Sequence, residues 1–247
     1  LLSLILKSGS DYGRTQLSPA PKAHLEFVSA NPTGPLSVAH GRQAAVGDAL
    51  ANLMDFSGFQ VTREYYVNDE GTQIDLLGES ILVRARELSG ESVTLPENGY
   101  KGAYVTDCAQ AWVQEQGPES LKADDAQAQA TQFGVKRLLE GIEQDLDRFG
   151  VRFDVWFRQS TLKEKKFLEK SLDLLRANGT LFESDGAWWL KSTDFGDDKD
   201  RVVIRADGRM TYIAADIAYH RRKFDQQFDQ VINLWGPDHH GYIARLK

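Results

Sequence analysis

Residues 31–50 read NPTGPLSVAHGRQAAVGDAL, a turn broken by Pro and Gly that runs into a helix, with His40 at the junction and Ser37 one turn earlier. The exposed N–H groups of a helix start, together with the macrodipole, favour phosphate, and an imidazole placed there can donate a further hydrogen bond. That chemistry points to a nucleotide. A lone histidine at such a place also serves as an ordinary polar cap, and only its context separates the two readings. Neither GxxxxGK(S/T) nor GxGxxG occurs, so a P-loop and a dinucleotide fingerprint are both unsupported. A second candidate is Asp238-His239-His240, since Asp and His ligate divalent metals well. Three adjacent residues at a helix start cannot all face one ion, however. The pairs Asp145/Asp147 and Asp198/Asp200 read as helix and loop, and the five histidines and single cysteine show no zinc-ligand spacing. No protein-bound metal is expected.

The elements that must position these residues follow from periodicity. HLEFVSA, from His24 to Ala30, predicts a strand with Leu25 and Phe27 on one face. After the turn, Val46, Ala49, Leu50, Leu53 and Met54 follow helical spacing, Gly58 suits the stop, and QVTREYYV predicts a second strand. This is a β-turn-α-β unit, with the turn at the carboxyl end of the strand, where open α/β sheets bind ligands. From about Ile81 to Ser120 the pattern loosens, as an insertion would. Val135, Leu138, Leu139, Ile142 and Leu146 predict a helix, and Leu168, Leu172 and Leu175 another ending before Gly179. Asp185-Gly186 and Asp207-Gly208 predict two β-hairpins. The last segment reads as a buried strand ending at Gly236, then a helix cut off at Lys247, so the chain is expected to be part of something longer.

Composition narrows the class. A chain of 247 residues, 41% hydrophobic and 26% charged, can bury a sizeable core. The net charge of -7 argues against nucleic-acid binding by bulk electrostatics. Cys108 is the only cysteine, which excludes an internal disulfide framework and suits a reducing compartment. LLSLILKSGS has neither a basic leader nor a cleavage pattern and reads as the end of a truncated helix, and no apolar stretch reaches the roughly 20 residues that span a bilayer. A cytoplasmic protein without membrane attachment is expected.

Several long motifs then occur in order: EFVSANPTGPLSVAHGR, REYYVNDEGTQI, FGVRFDVWF, STDFGDDKDRV and TYIAADIAYHRRKFDQQFDQVINLWGPDHHGYIARLK. Over about residues 11–247 they resemble the bacterial arginyl-tRNA synthetases, a family of class I aminoacyl-tRNA synthetases. The resemblance implies an α/β fold, a Rossmann-like parallel sheet with an inserted subdomain. Residues 1–20 would be the end of an N-terminal domain and linker, 21–80 the first half of the catalytic domain, 81–200 the insertion with connecting helices and hairpins, and 201–247 its truncated second half. It implies an enzyme that activates L-arginine with ATP, magnesium being the counter-ion of the nucleotide, and passes arginine to tRNA-Arg. Domains that grip the tRNA and a lysine-bearing loop that contacts the phosphates would lie outside this chain, which alone would be inactive and monomeric. The alternative is a noncatalytic paralogue that keeps an arginine- or nucleotide-binding pocket.

Residue roles carried over on the same basis place Ser37, His40 and Gly41 at ATP, with Ser37 and His40 catalytic; the family's first histidine is Ser37 here and its glycine is Ala39. Gly236, Asp238 and His240 would complete the ATP site. Arginine would meet Glu26, Ser29, Ala30, Asn31, His40, Tyr212, Asp216 and His239, because a guanidinium pairs bidentately with carboxylates. Asp69 and Gln73 are further pocket candidates.

Overall fold

The computed structural model describes all residues except 165, 237–242 and 244–247. The elements in chain order are α1 (Leu2–Ser8), β1 (Lys22–Glu26), α2 (Val38–Phe56), β2 (Gln60–Val67), α3 (Thr72–Leu88), α4 (Ala103–Gln116), α5 (Ala126–Phe149), β3 (Val155–Arg158), α6 (Ser160–Glu164), α7 (Phe167–Ala177), β4 (Leu181–Ser184), β5 (Ala187–Leu190), β6 (Arg201–Ile204), α8 (Tyr212–Asp225) and β7 (Gln230–Asn233). They fall into two compact units: residues 1–28, 42–66 and 153–247 make one, and 29–41 with 67–152 the other. Among the described residues no helix is long and apolar enough to cross a membrane.

The first unit carries a four-stranded sheet in the order β3-β2-β1-β7, with β1 parallel to both β2 and β7. A central parallel strand is covered on both faces, and Ala23 through Glu26 are all buried. The alternation of Leu25 and Phe27 therefore marks one buried face, while the intervening His24 and Glu26 point into a second buried face that is polar. β1 is also shorter than predicted, because Val28 and Ser29 turn to left-handed φ of 68° and 41°. A three-stranded antiparallel sheet, β4-β5-β6, completes the unit. Asp185 and Gly186 form its first hairpin, with φ of 53° and 74°. The second predicted hairpin shrinks to a single bridge between Ile204 and Met210. The Thr211 hydroxyl donates to the carbonyls of Val202 and Val203, and α8 begins at the next residue.

Helix α2 forms as predicted, but of its predicted apolar stripe only Met54 is buried. Ala44, Gly47, Ala51 and Met54 are buried, whereas Val46 and Leu53 are exposed. The helix axis lies so close to β1 that a Cβ on Gly47 would come within 2.3 Å of the Phe27 ring. Small residues, not large apolar ones, mark the contact, which hydrophobic periodicity does not register.

In the second unit the stretch that loosened in sequence holds the end of α3 and all of α4, joined by a loop over 89–102. Ile74, Leu77, Ile81, Leu82 and Ala85 of α3 pack with Val105, Cys108, Ala109 and Trp112 of α4 and Ala126, Ala130 and Val135 of α5. The signal was masked because the buried faces carry small and polar residues. A Cβ on Gly78 would overlap the Thr131 side chain at 1.7 Å. The buried Ser80 hydroxyl donates to the Leu76 carbonyl at 2.6 Å and accepts from the Tyr100 N–H at 3.0 Å.

Candidate active site

At the carboxyl end of β1 the chain pairs once more, Phe27 N–H to the Glu64 carbonyl at 3.4 Å, and then enters the two left-handed residues. Positive φ at a β-branched residue such as Val28 is an outlier that costs on the order of 1–3 kcal/mol and collects at ligand sites. The strain turns the backbone out of the sheet at Ser29 and Ala30. Within the second unit, Asn31 Nδ2 then donates to Gln73 Oε1 at 2.9 Å, which brings two sequence candidates together. The turn is held from α4: Tyr104 Oη donates to the Thr33 carbonyl at 2.8 Å, and a Cβ on Gly34 would press on that hydroxyl at 3.2 Å. Burial, before the neighbouring Tyr100 and Cys108, raises the Tyr104 pKa. Sequence reasoning missed Tyr104, since it comes from the segment whose pattern was weakest. Tyr104→Phe should lower stability to urea by about 1 kcal/mol, the net worth of one hydrogen bond; an unchanged unfolding midpoint would mean that the turn holds itself.

The start of α2 explains the Ser37–His40 spacing. His40 Nδ1 lies 3.1 Å from the Ser37 N–H and 3.2 Å from the Ser37 hydroxyl. With α2 beginning at Val38, Ser37 is the N-cap and His40 the third helical residue, whose side chain reaches back to the cap N–H as in a capping box. That N–H can only donate, so Nδ1 accepts, and in neutral His40 the proton is on Nε2. The capping and nucleotide readings are thus compatible: the cap spends one ring nitrogen and orients the other as a donor. A Cβ on Gly41 would meet nothing within 4 Å, so the backbone there stands open. The first-turn N–H groups have no intrahelical partners, and with this opening they fit an anionic ligand.

In the first unit the polar face of β1 and β2 meets α8. Glu64, fully buried, receives two parallel bonds from Arg222, 2.8 and 2.7 Å, and one from Tyr219 Oη, 2.6 Å. Burial alone would raise the Glu64 pKa; His24, Arg222 and Tyr219 outweigh it and hold the carboxyl at about 2. His24 Nε2 stands 3.4 Å from Glu64 Oε2, an ion-pair distance whose alignment makes no hydrogen bond. Glu26 Oε2 accepts from Lys223 Nζ at 2.5 Å and from Tyr219 Oη at 2.9 Å. Lys223 is fully buried and donates also to Asn233 Oδ1 at 2.8 Å. Burial, then the two glutamates, pushes the Tyr219 hydroxyl well above its ordinary pKa, so it stays a donor. None of Glu64, Tyr219, His220, Arg222, Lys223 or Asn233 was singled out in the sequence. The spacing of 219, 222 and 223 on one helical face was the available signal.

The carried-over residues are thus placed as follows. Glu26, Tyr212 and Asp216 belong to the first unit, with Glu26 matched by Lys223, Tyr212 exposed, and Asp216 half-buried in α8. Ser29, Ala30, Asn31, Ser37, His40 and Gly41 belong to the second, as do Asp69 and Gln73. Gly236 follows β7. Asp238, His239 and His240 lie outside the described residues, and so does the metal-triplet alternative built on them. Among the described residues no group of three or more His, Cys, Asp or Glu is placed to hold a metal ion.

A parallel sheet whose central strand β1 is flanked on both sides by parallel strands is the arrangement of an α/β catalytic domain. The family described as tRNA synthetases class I (R), catalytic domain, matches residues 2–246, and the chain belongs to that family. It is 45% identical over 249 residues to an arginine-tRNA ligase of Syntrophotalea carbinolica, covering 100% of this chain and 45% of that protein. It is 48% identical over 248 residues to an arginine-tRNA ligase of Geobacter sp., covering 100% of this chain and 45% of the relative. A crystal structure from Campylobacter jejuni, assigned as an arginyl tRNA synthetase, superposes with a TM-score of 0.92 at 38% identity over 98% of this chain and 54% of that one. The chain spans just under half the length of the curated relatives it matches.

Proposed function

We propose that the protein to which this chain belongs activates L-arginine with ATP to form arginyl-adenylate and pyrophosphate, and then transfers arginine to tRNA-Arg. The observation that carries the reading is the start of α2. There the Ser37 N–H commits His40 Nδ1 as an acceptor, so that Nε2 of the neutral ring is left as a donor at a helix start whose first-turn N–H groups have no intrahelical partners and where Gly41 adds no side chain. In this reading His40, Gly41 and Ser37 hold the triphosphate, whose magnesium comes with the nucleotide; Gly236, Asp238 and His240 complete the ATP site. Asn31, with the Ser29–Ala30 backbone, holds the main-chain groups of the amino acid, and Asp216 with Tyr212 and His239 receives its side chain. Glu26 acts through Lys223 and Tyr219, shaping the polar wall, so that its charge is matched within the fold.

A fixed donor aimed at developing charge is worth about 2.7–4 kcal/mol. In the full-length protein, His40→Ala should therefore slow arginine-dependent ATP–pyrophosphate exchange roughly a hundredfold, with arginine affinity little changed. An exchange rate indifferent to this substitution would reduce His40 to a helix cap.

A further inference from the structure

The face of α8 that carries Asp216 also carries His220 and Lys223, one and two turns on. His220 Nδ1 lies 2.9 Å from the Asp216 carbonyl, His220 Nε2 lies 3.0 Å from Asn233 Nδ2, and Lys223 Nζ lies 2.8 Å from Asn233 Oδ1 and 2.5 Å from Glu26. The donors and acceptors of this run can be ordered in one way. An ammonium paired to a carboxylate has only protons to offer, so the Asn233 atom facing Lys223 is the oxygen. Its NH₂ is thereby turned to His220, where Nε2 must accept and so carries no proton. The proton of a neutral imidazole is then on Nδ1, facing a backbone carbonyl that can only accept. Every link is complementary in this order and in no other.

We infer that His220 is a positioning residue: through Asn233 and Lys223 it ties the turn of α8 bearing Asp216 to β7 and to Glu26, and it does so only as the neutral Nδ1–H tautomer. The consequence for arginine rests on the function proposed above, whereas the tautomer does not. An imidazolium would set Nε2–H against the Asn233 NH₂. Reversing the amide to relieve that clash would set the same NH₂ against the Lys223 ammonium. Burial, then the Lys223 charge, lowers the His220 pKa, the direction that keeps the ring neutral. The titratable and charged groups around it are Asp216, Tyr219 and Lys223 of α8, His24 and Glu26 of β1, and Glu64 of β2. Burial and the Lys223 ammonium oppose protonation, and the Asp216 carbonyl and Glu26 favour it.

The test uses the full-length protein. With ¹⁵N-labelled histidine, assigned by His220→Gln, the spectrum near neutral pH should show a protonated Nδ1 and an unprotonated Nε2 at His220; the opposite tautomer, or an imidazolium, overturns the inference whatever the activity. His220→Ala should raise the KM for arginine about tenfold, or 1.4 kcal/mol, with kcat and the KM for ATP within about twofold. His220→Gln, whose side-chain oxygen can accept from Asn233, should recover most of that loss. Asn233→Asp replaces the donor by an acceptor, so the same spectrum should show Nε2 protonated in that variant; an Nε2 still without its proton there overturns the ordering. Equal losses for arginine and ATP, or a glutamine variant as poor as alanine, would make His220 a mere packing residue. A parent protein that activates no arginine would sink the proposed function and leave the tautomer result standing.

Discussion

Glu64→Gln is expected to destabilise the fold by about 3–5 kcal/mol, because it strips a buried charge pair of one member and leaves the Arg222 guanidinium without its counter-ion. The geometry puts this pair in the costly class: Glu64 is fully buried, both its oxygens are bonded to Arg222, and the guanidinium lies 4.0 Å over the Phe157 ring, away from water. Acid should reveal the same energy by another route. The Glu64 pKa falls from 4.5 to about 2 on folding, so the unfolded chain binds the proton more tightly than the native one. The stabilisation is therefore complete above about pH 4.5, and it is lost as pH drops toward 2; a shift of this size is worth about 3 kcal/mol. Urea unfolding of the parent should weaken across that window, and the glutamine variant should lack this part of the acid slope. The double change Glu64→Leu with Arg222→Met removes both charges and should be less destabilising than Glu64→Gln alone. A single variant within 1 kcal/mol of the parent would place the weight of this interface on apolar packing instead.

That pair marks where sequence reading stops. The β1-turn-α2-β2 unit was legible because its signals are local: alternation in HLEF, the breaks at Pro32, Gly34 and Pro35, and a helix closing at Gly58. The buried polar face was not, since Lys223 and Glu26 are 197 residues apart and Arg222 and Glu64 are 158. A charge at Glu26, Glu64 or Lys223 looks solvated until the partner that neutralises it is in place. The face of α2 was misread for a related reason. Close approach selects Ala44, Gly47 and Ala51, residues that carry no hydrophobic signal, and leaves Val46 and Leu53 outside. At the candidate site, the type and spacing of Ser37 and His40 were visible, but not which ring nitrogen the cap consumes. The turn's support by Tyr104 depends on α4, an element that periodicity did not detect.

The other large effect rests on the proposed function and concerns arginine as the proposed substrate. Glu26 and Asp216 both came forward as partners for the guanidinium, and the two now differ. Glu26 Oε2 already carries Lys223 and Tyr219, so a change there disturbs β1, α8 and β7 together and gives an ambiguous result. Asp216 is half-buried on α8, and its removal leaves the buried ion pairs at 26 and 64 intact. A guanidinium closed against a carboxylate and then deprived of it loses about 3–5 kcal/mol, and the lower figure applies where water reaches the site. Asp216→Ala in the full-length protein should thus weaken arginine binding by at least about a hundredfold, with ATP affinity within about threefold of the parent. Asp216→Asn, which keeps a hydrogen-bond acceptor but not the charge, should fall between the two. Isothermal titration with each substrate separates the cases: equal losses for arginine and ATP would show that Asp216 holds the fold of α8, and an unchanged arginine affinity would return the guanidinium to Glu26.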